Sequence, residues 1–127
     1  MAHDRVYSPD DPTLEKLRKV ALAFPEAVEV EAWGRPTFRA GKKIFVTYHA
    51  GPDHPSAIII KPDPEDEAAL RADSRFFVPK YWTTWLAVDL DASDIEWDEV
   101  AELLESSYRQ VALKRMLTRL DESPERS

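Results

Sequence analysis

Thirteen residues, Trp33 to Phe45, read Trp-Gly-Arg-Pro-Thr-Phe-Arg-Ala-Gly-Lys-Lys-Ile-Phe and restrict the fold more than any other stretch of the chain. Gly34 and Pro36 flank Arg35, and Gly41 precedes Lys42 and Lys43, so two chain reversals are expected within this span. Reversals so close together leave room only for short strands joined by tight turns, which is the grammar of an antiparallel sheet. Thr37 to Ala40 is then a strand held between turns. Arg35, Arg39, Lys42 and Lys43 bring positive charge with no acid among them, while Trp33, Phe38 and Phe45 supply large apolar surface. Two readings stand side by side: aromatics in the core with a solvated hairpin, or a basic corner that binds anions.

The flanking sequence extends this pattern. Asp11 followed by Pro12 is a helix start, with the carboxylate as N-cap and proline in the first turn. Leu14, Leu17, Ala21 and Phe24 share one face, and Pro25 ends the helix. Val28 to Trp33 alternates at period two, as a strand with one wet face does. Ile44 to His49 and Ser56 to Lys61 are two further strands, joined by the turn-rich Ala-Gly-Pro-Asp-His-Pro. Ala57 to Ile60 is apolar on both faces, which predicts a central or doubly covered strand.

A helix is expected from Pro62 to about Ala72, its acids gathered at the N-terminal end. Arg75 to Trp82 reads as an aromatic and basic connection, and Trp85 to Leu90 as a fifth strand. In the last helix Trp97, Val100, Leu104, Tyr108 and Val111 fall in one sector and should cover the sheet. Leu113, Met116, Leu117 and Leu120 fall on the opposite side of a straight continuation. That switch predicts either a break near Ala112 to Arg115 or a tail packed on a second surface, such as a protein partner or a homodimer mate. Residues 1–10 and 121–127 read as loose ends of a single domain.

The totals bound the function. At 127 residues one core suffices. No segment is apolar for long enough to cross a bilayer and the first residues lack a signal-like apolar stretch, so a cytoplasmic location is expected. With no cysteine, disulfides, thiolate catalysis and Cys-based metal sites are excluded. The 24 acids and 17 bases give a net charge of −7, which opposes long-range attraction to phosphate polymers, although a Debye length of about 8 Å lets a local patch dominate at close range.

No catalytic constellation emerges. His49 and His54 bracket a loop with Asp53 but lack metal-site spacing, and the acids before the last helix lack the EF-hand glycine and spacing. Ser106 and Ser107 lie in a helix without a nucleophile elbow, and glycine-rich phosphate loops are absent. No cofactor, no metal and no enzymatic activity are expected. Lys80, Tyr81 and Trp82 could stack against bases, with Trp82 expected to be the exposed ring.

Assembled in order, several segments carry a likeness: Ala-Phe-Pro-Glu-Ala, Trp-Gly-Arg-Pro-Thr-Phe-Arg, Gly-Lys-Lys-Ile-Phe, Ile-Ile-Ile-Lys-Pro-Asp-Pro, Pro-Lys-Tyr-Trp, Trp-Leu-Ala-Val-Asp-Leu and Trp-Asp-Glu-Val. Their order and spacing over roughly Leu14 to Arg115 resemble the MmcQ/YjbR family of small bacterial proteins. The resemblance implies an α+β fold with an antiparallel five-stranded sheet, in the order α-β-β-β-β-α-β-α, which agrees with the pattern reading. It also implies a DNA-binding label, given to the family because its fold looks like the double-wing DNA-binding domain of a phage transcription factor. The family carries no established enzymatic activity.

The expected function is therefore a non-enzymatic binding domain that contacts nucleic acid. Arg35, Arg39, Lys42 and Lys43 would meet phosphates, with Lys61 and Lys80 as neighbours and Trp82 as a stacking residue. The alternative is a protein-interaction or small-ligand module whose partner contacts the acidic helix or the Leu113 to Leu120 tail.

Overall fold

The computed structural model describes residues 7–91 and 94–122. Its elements run α1 (Pro12–Ala21), β1 (Ala27–Ala32), β2 (Arg35–Ala40), β3 (Lys43–His49), β4 (Ala57–Ile60), α2 (Glu67–Ala72), β5 (Phe76–Phe77), β6 (Leu86–Asp89), α3 (Trp97–Val111) and α4 (Lys114–Glu122). The strands form one antiparallel sheet of order β1-β2-β3-β4-β6-β5. This is the expected α+β class with six strands instead of five. The sixth, Phe76–Phe77, lies in what the sequence suggested was plain connection: a two-residue strand is too short to show any period.

Asp11 caps α1 as its sequence predicts, Oδ1 accepting from Thr13 N–H at 2.9 Å. The other carboxylate oxygen accepts from the Tyr48 hydroxyl at 2.6 Å, tying the helix start to β3. Burial, reinforced by that hydrogen bond, pushes the Tyr48 hydroxyl far above its ordinary range. Leu14, Leu17, Ala21 and Phe24 are all buried. The helix nevertheless ends at Ala21, and Phe24 reaches the core from the turn beyond, where its ring stacks on Tyr108 at 4.9 Å.

On β1 the alternation holds, but Val28 and Val30 face solvent while Glu29 lies beneath, gripped by the Arg18 guanidinium at 2.8 and 3.1 Å. The segment expected to start α2 at Pro62 forms a turn instead. Asp63 accepts from Glu65 N–H at 2.8 Å, the local bond by which Asp competes with helix, and α2 begins only at Glu67.

The helices cover one face of the sheet, where Phe38, Tyr48, Ile58, Ile60, Leu86 and Val88 meet Val100, Leu104 and Tyr108 in one core. Each such side chain, fully buried, contributes about 1.5–3 kcal/mol. Between Phe38 and Arg39 the β2–β3 register shifts, and Phe45 is the extra residue of the bulge. The shift turns Phe45 into the core. Its carbonyl accepts from Ser107 Oγ of α3 at 2.5 Å, and Ser107 Oγ accepts in turn from Lys61 N–H at 3.0 Å.

The apolar switch after Val111 is resolved by a break. Ala112 is extended (φ −68°, ψ 149°) and α4 restarts at Lys114. The break returns the stripe to the same core: Met116 and Leu120 are buried there, Leu117 packs partly against it, and only Leu113 stands out at 49% exposure. Met116 and Leu120 are thus not partner-binding residues, because the fold itself consumes their apolar surface. Asp121, expected in a loose end, is helical and accepts from Arg109 at 2.6 Å. At the other end the Tyr7 hydroxyl donates to Glu31 at 2.7 Å and the Ser8 carbonyl accepts from Asp11 N–H at 3.1 Å, while residues 1–6 and 123–127 of the expected loose ends lie outside the described residues. Among the described residues no helix is long and apolar enough to cross a membrane.

Candidate functional site

Among the described residues no helix covers the second face of the sheet. Strand alternation sends Arg35, Thr37 and Arg39 of β2 to it, and the pairings Thr37–Thr47, Thr47–Ile59, His49–Ala57, Ile59–Ala87 and Phe77–Ala87 carry the same face across to β5. At its middle stand Thr47, Ala57 and Ala87, small side chains that leave depth. Residues 78–82 rise on one side and Pro52, Asp53 and His54 on another, enclosing a cavity of about 1000 Å³ above this floor.

Local sequence explains its rim. Ala32 pairs with Arg35 across a two-residue turn in which Trp33 (φ 54°) and Gly34 (φ 77°) are both left-handed. This is the turn whose twist suits a β-hairpin, and it ordinarily takes Asn-Gly. Tryptophan at its first position is strained, as is Tyr81 (φ 71°) on the opposite rim. Trp33 is 54% exposed and Tyr81 87%, and both line the cavity. Trp82, expected to be the exposed ring, is half-buried instead. It meets Trp33 at 6.1 Å and Trp85 at 5.0 Å, both edge to face, so the tryptophans form a wall and Tyr81 takes the open position.

The polar groups of the cavity are mostly cationic or ready to become so. Arg35 has no carboxylate partner among the described residues, and its Nε is buried without a hydrogen bond. Burial lowers its pKa, yet a guanidinium stays protonated. His49 Nδ1 is likewise buried and unbonded. Gly51 lies against that imidazole so closely that a Cβ there would fall 2.6 Å from Nε2. Desolvation, then the positive charge of Arg35, hold the His49 pKa below its ordinary value. His54 stacks on Phe77 at 4.0 Å with Nδ1 3.7 Å from Asp89 Oδ2. Lys80 Nζ sits 5.2 Å from the Tyr81 ring.

The residues singled out by sequence divide between two places. Arg35, Lys80 and Trp82 line the cavity. Arg39 lies four residues beyond Arg35 on the same strand face, roughly 13 Å away, and its Nε donates to Thr37 Oγ1 at 3.2 Å. Lys42 and Lys43 stand exposed at the β2–β3 turn, which Gly41 (φ 65°) seats against Met116. Lys61 follows β4 at that same end of the sheet, since Ile60 pairs with Val46. None of these four forms an ion pair among the described residues. The nearby acids are engaged elsewhere: Glu26 by Arg115 at 2.9 Å, Glu29 by Arg18 at 2.8 Å.

Of the two sequence readings, one puts Trp33 in the core, and His49 and His54 enter only as metal ligands. Both histidines and Asp53 do line the cavity, but among the described residues no cluster of three or more metal-ligating side chains forms. A family model, YjbR, matches residues 22–110. The chain belongs to the YjbR family. The match contains every residue lining the cavity, so the YjbR segment of the chain carries the site complete, while α1 and α4 lie outside it. No curated protein matches the chain.

Proposed function

We propose that this YjbR protein is a non-enzymatic binding domain that engages nucleic acid through the open face of its sheet. The observation that carries the reading is the set Arg35, Arg39, Lys42 and Lys43, spread along one strand and its turn with no carboxylate neutralising any of them among the described residues. On a chain with net charge −7, a strip of unpaired cations is where phosphates would be met. Lys61 and Lys80 extend the strip at its two ends.

Anisotropy of labelled duplex and single-stranded oligonucleotides at two salt concentrations tests this. Four phosphate contacts predict a slope of log affinity against log salt of about −4 on duplex and about −3 on single strands. Binding that is absent at low salt, or that survives conversion of all four cations to alanine, overturns the reading. The cavity favours a second reading, a small-ligand module, which predicts binding without that salt dependence.

A further inference from the structure

We infer that the cavity on the open face is a subsite for one unpaired nucleotide, its planar base set against the exposed aromatic rim and its phosphate against Arg35 and His49. The inference deepens the nucleic-acid reading and rests on it for the choice of a nucleotide over another aromatic anion. At about 1000 Å³ the cavity is far larger than an inorganic anion needs and falls in the range of pockets that enclose nucleotide-sized ligands.

The donors suit a phosphate. Arg35 lies two residues before Thr37 and His49 two after its partner Thr47, so the antiparallel register sets the two side chains next to each other on the open face. Among the described residues neither has a hydrogen-bond partner for its buried nitrogen, Nε of Arg35 and Nδ1 of His49. A guanidinium and an imidazole side by side, unneutralised, form a fork for an oxyanion. The rim suits a base. Trp33 and Tyr81 keep much of their surface in water and do so on left-handed backbone that disfavours them. The edge contact of Trp33 with Trp82 and the Lys80 ammonium near Tyr81 offset part of this cost, and a stacked base would add about 1–3 kcal/mol per ring. A base inside a duplex already has both faces covered, so the site selects single strands or free nucleotides.

The test titrates the full chain with adenosine 5′-monophosphate, adenosine, inorganic phosphate and a single-stranded oligonucleotide, followed by calorimetry and tryptophan fluorescence. The nucleotide is expected to bind saturably and to quench emission, with adenosine and phosphate each about 10-fold weaker or more. Trp33→Ala and Arg35→Ala should each lower nucleotide affinity about 10-fold while still melting as folded proteins, and Arg35→Lys should restore part of it. Lys19→Ala, at an exposed position of α1 outside the cavity and the basic strip, serves as the control and should leave it unaltered. No nucleotide signal at about 1 mM while the oligonucleotide still binds overturns the subsite and spares the nucleic-acid reading. Failure of both ligands overturns both, and nucleotide binding without any oligonucleotide binding upholds the subsite as one for free nucleotides while the nucleic-acid reading falls. Saturable binding indifferent to Trp33→Ala and Arg35→Ala overturns the assignment to this cavity.

Discussion

The indole of Trp33 meets that of Trp82 edge to face, with ring centroids 6.1 Å apart and planes at 85°. Through this contact the tip of the first hairpin holds the loop that walls the cavity. Two effects of similar size oppose each other at Trp33. The aromatic pair contributes about 0.5–1.5 kcal/mol, and left-handed backbone under a non-glycine residue costs about 1–2 kcal/mol. Trp33→Asn, which tolerates that backbone, should therefore change unfolding free energy by no more than about 1 kcal/mol while weakening nucleotide binding. Chemical denaturation checks the first part, and a loss well above that figure would mean Trp33 belongs to the fold rather than to the site.

Ser107 bridges the Phe45 carbonyl and the Lys61 amide at the point where the bulge disturbs the ladder. Ser107→Ala leaves both backbone groups buried without that partner, at a cost of about 1–3 kcal/mol. A thermal melt reads this directly. Ser106→Ala, one position along and only partly buried, should change stability by less than about 0.5 kcal/mol.

The helix break makes opposite predictions for residues of one apolar stripe. Met116→Ala or Leu120→Ala empties core volume and should cost about 2–5 kcal/mol. Leu113→Ser, at a half-exposed position, should stay within about 0.5 kcal/mol. Equal sensitivity of all three in denaturation would contradict the packing of α4.

His49 gives a pH signature of known sign. Desolvation and Arg35 depress its pKa, so between its folded value and the ordinary value of about 6.5 the unfolded chain binds more protons than the native one. Stability contributed by the neutral imidazole is present above that ordinary value and is lost as pH falls through the folded pKa. His49→Gln should flatten this acid slope, as measured by denaturation across the window.

A bound anion acts in the other direction on the same ring. It favours the imidazolium against Arg35, His54 and Lys80, while Asp53 lines the same cavity with negative charge and Asp89 lies 3.7 Å from His54 Nδ1. Nucleotide binding should therefore take up protons and weaken as pH rises through the bound-state pKa, a trend absent in His49→Gln. Calorimetry in buffers of different ionisation enthalpy measures the uptake.

Much of this molecule was legible in its order of residues. The N-cap at Asp11, the turns at Gly34 and Gly41, the strands from Val28 to Lys61 and the break after Val111 all follow from local chemistry, because caps, turns and periodicity are decided within a few residues of chain. The family likeness rests on the same local segments. Which face of β1 is wet could not be read from Val-Glu-Val-Glu, since Arg18, eleven positions upstream of Glu29, decides it by drawing Glu29 under the sheet.

The cavity was still less visible. Its parts lie on β2, β3, β4, β5, β6, the β1–β2 turn and two loops, and they converge only through strand register, in which a shift of one residue would send Arg35 and His49 to the helix side. Sequence by itself determined the elements other than β5 and the start of α2, the acidic balance and the basic hairpin, because these are sums over neighbours along the chain. Tertiary structure alone decided that Arg35 and His49 stand side by side beneath exposed rings, and that Met116 and Leu120 belong to the core, because burial is settled by residues far apart in sequence.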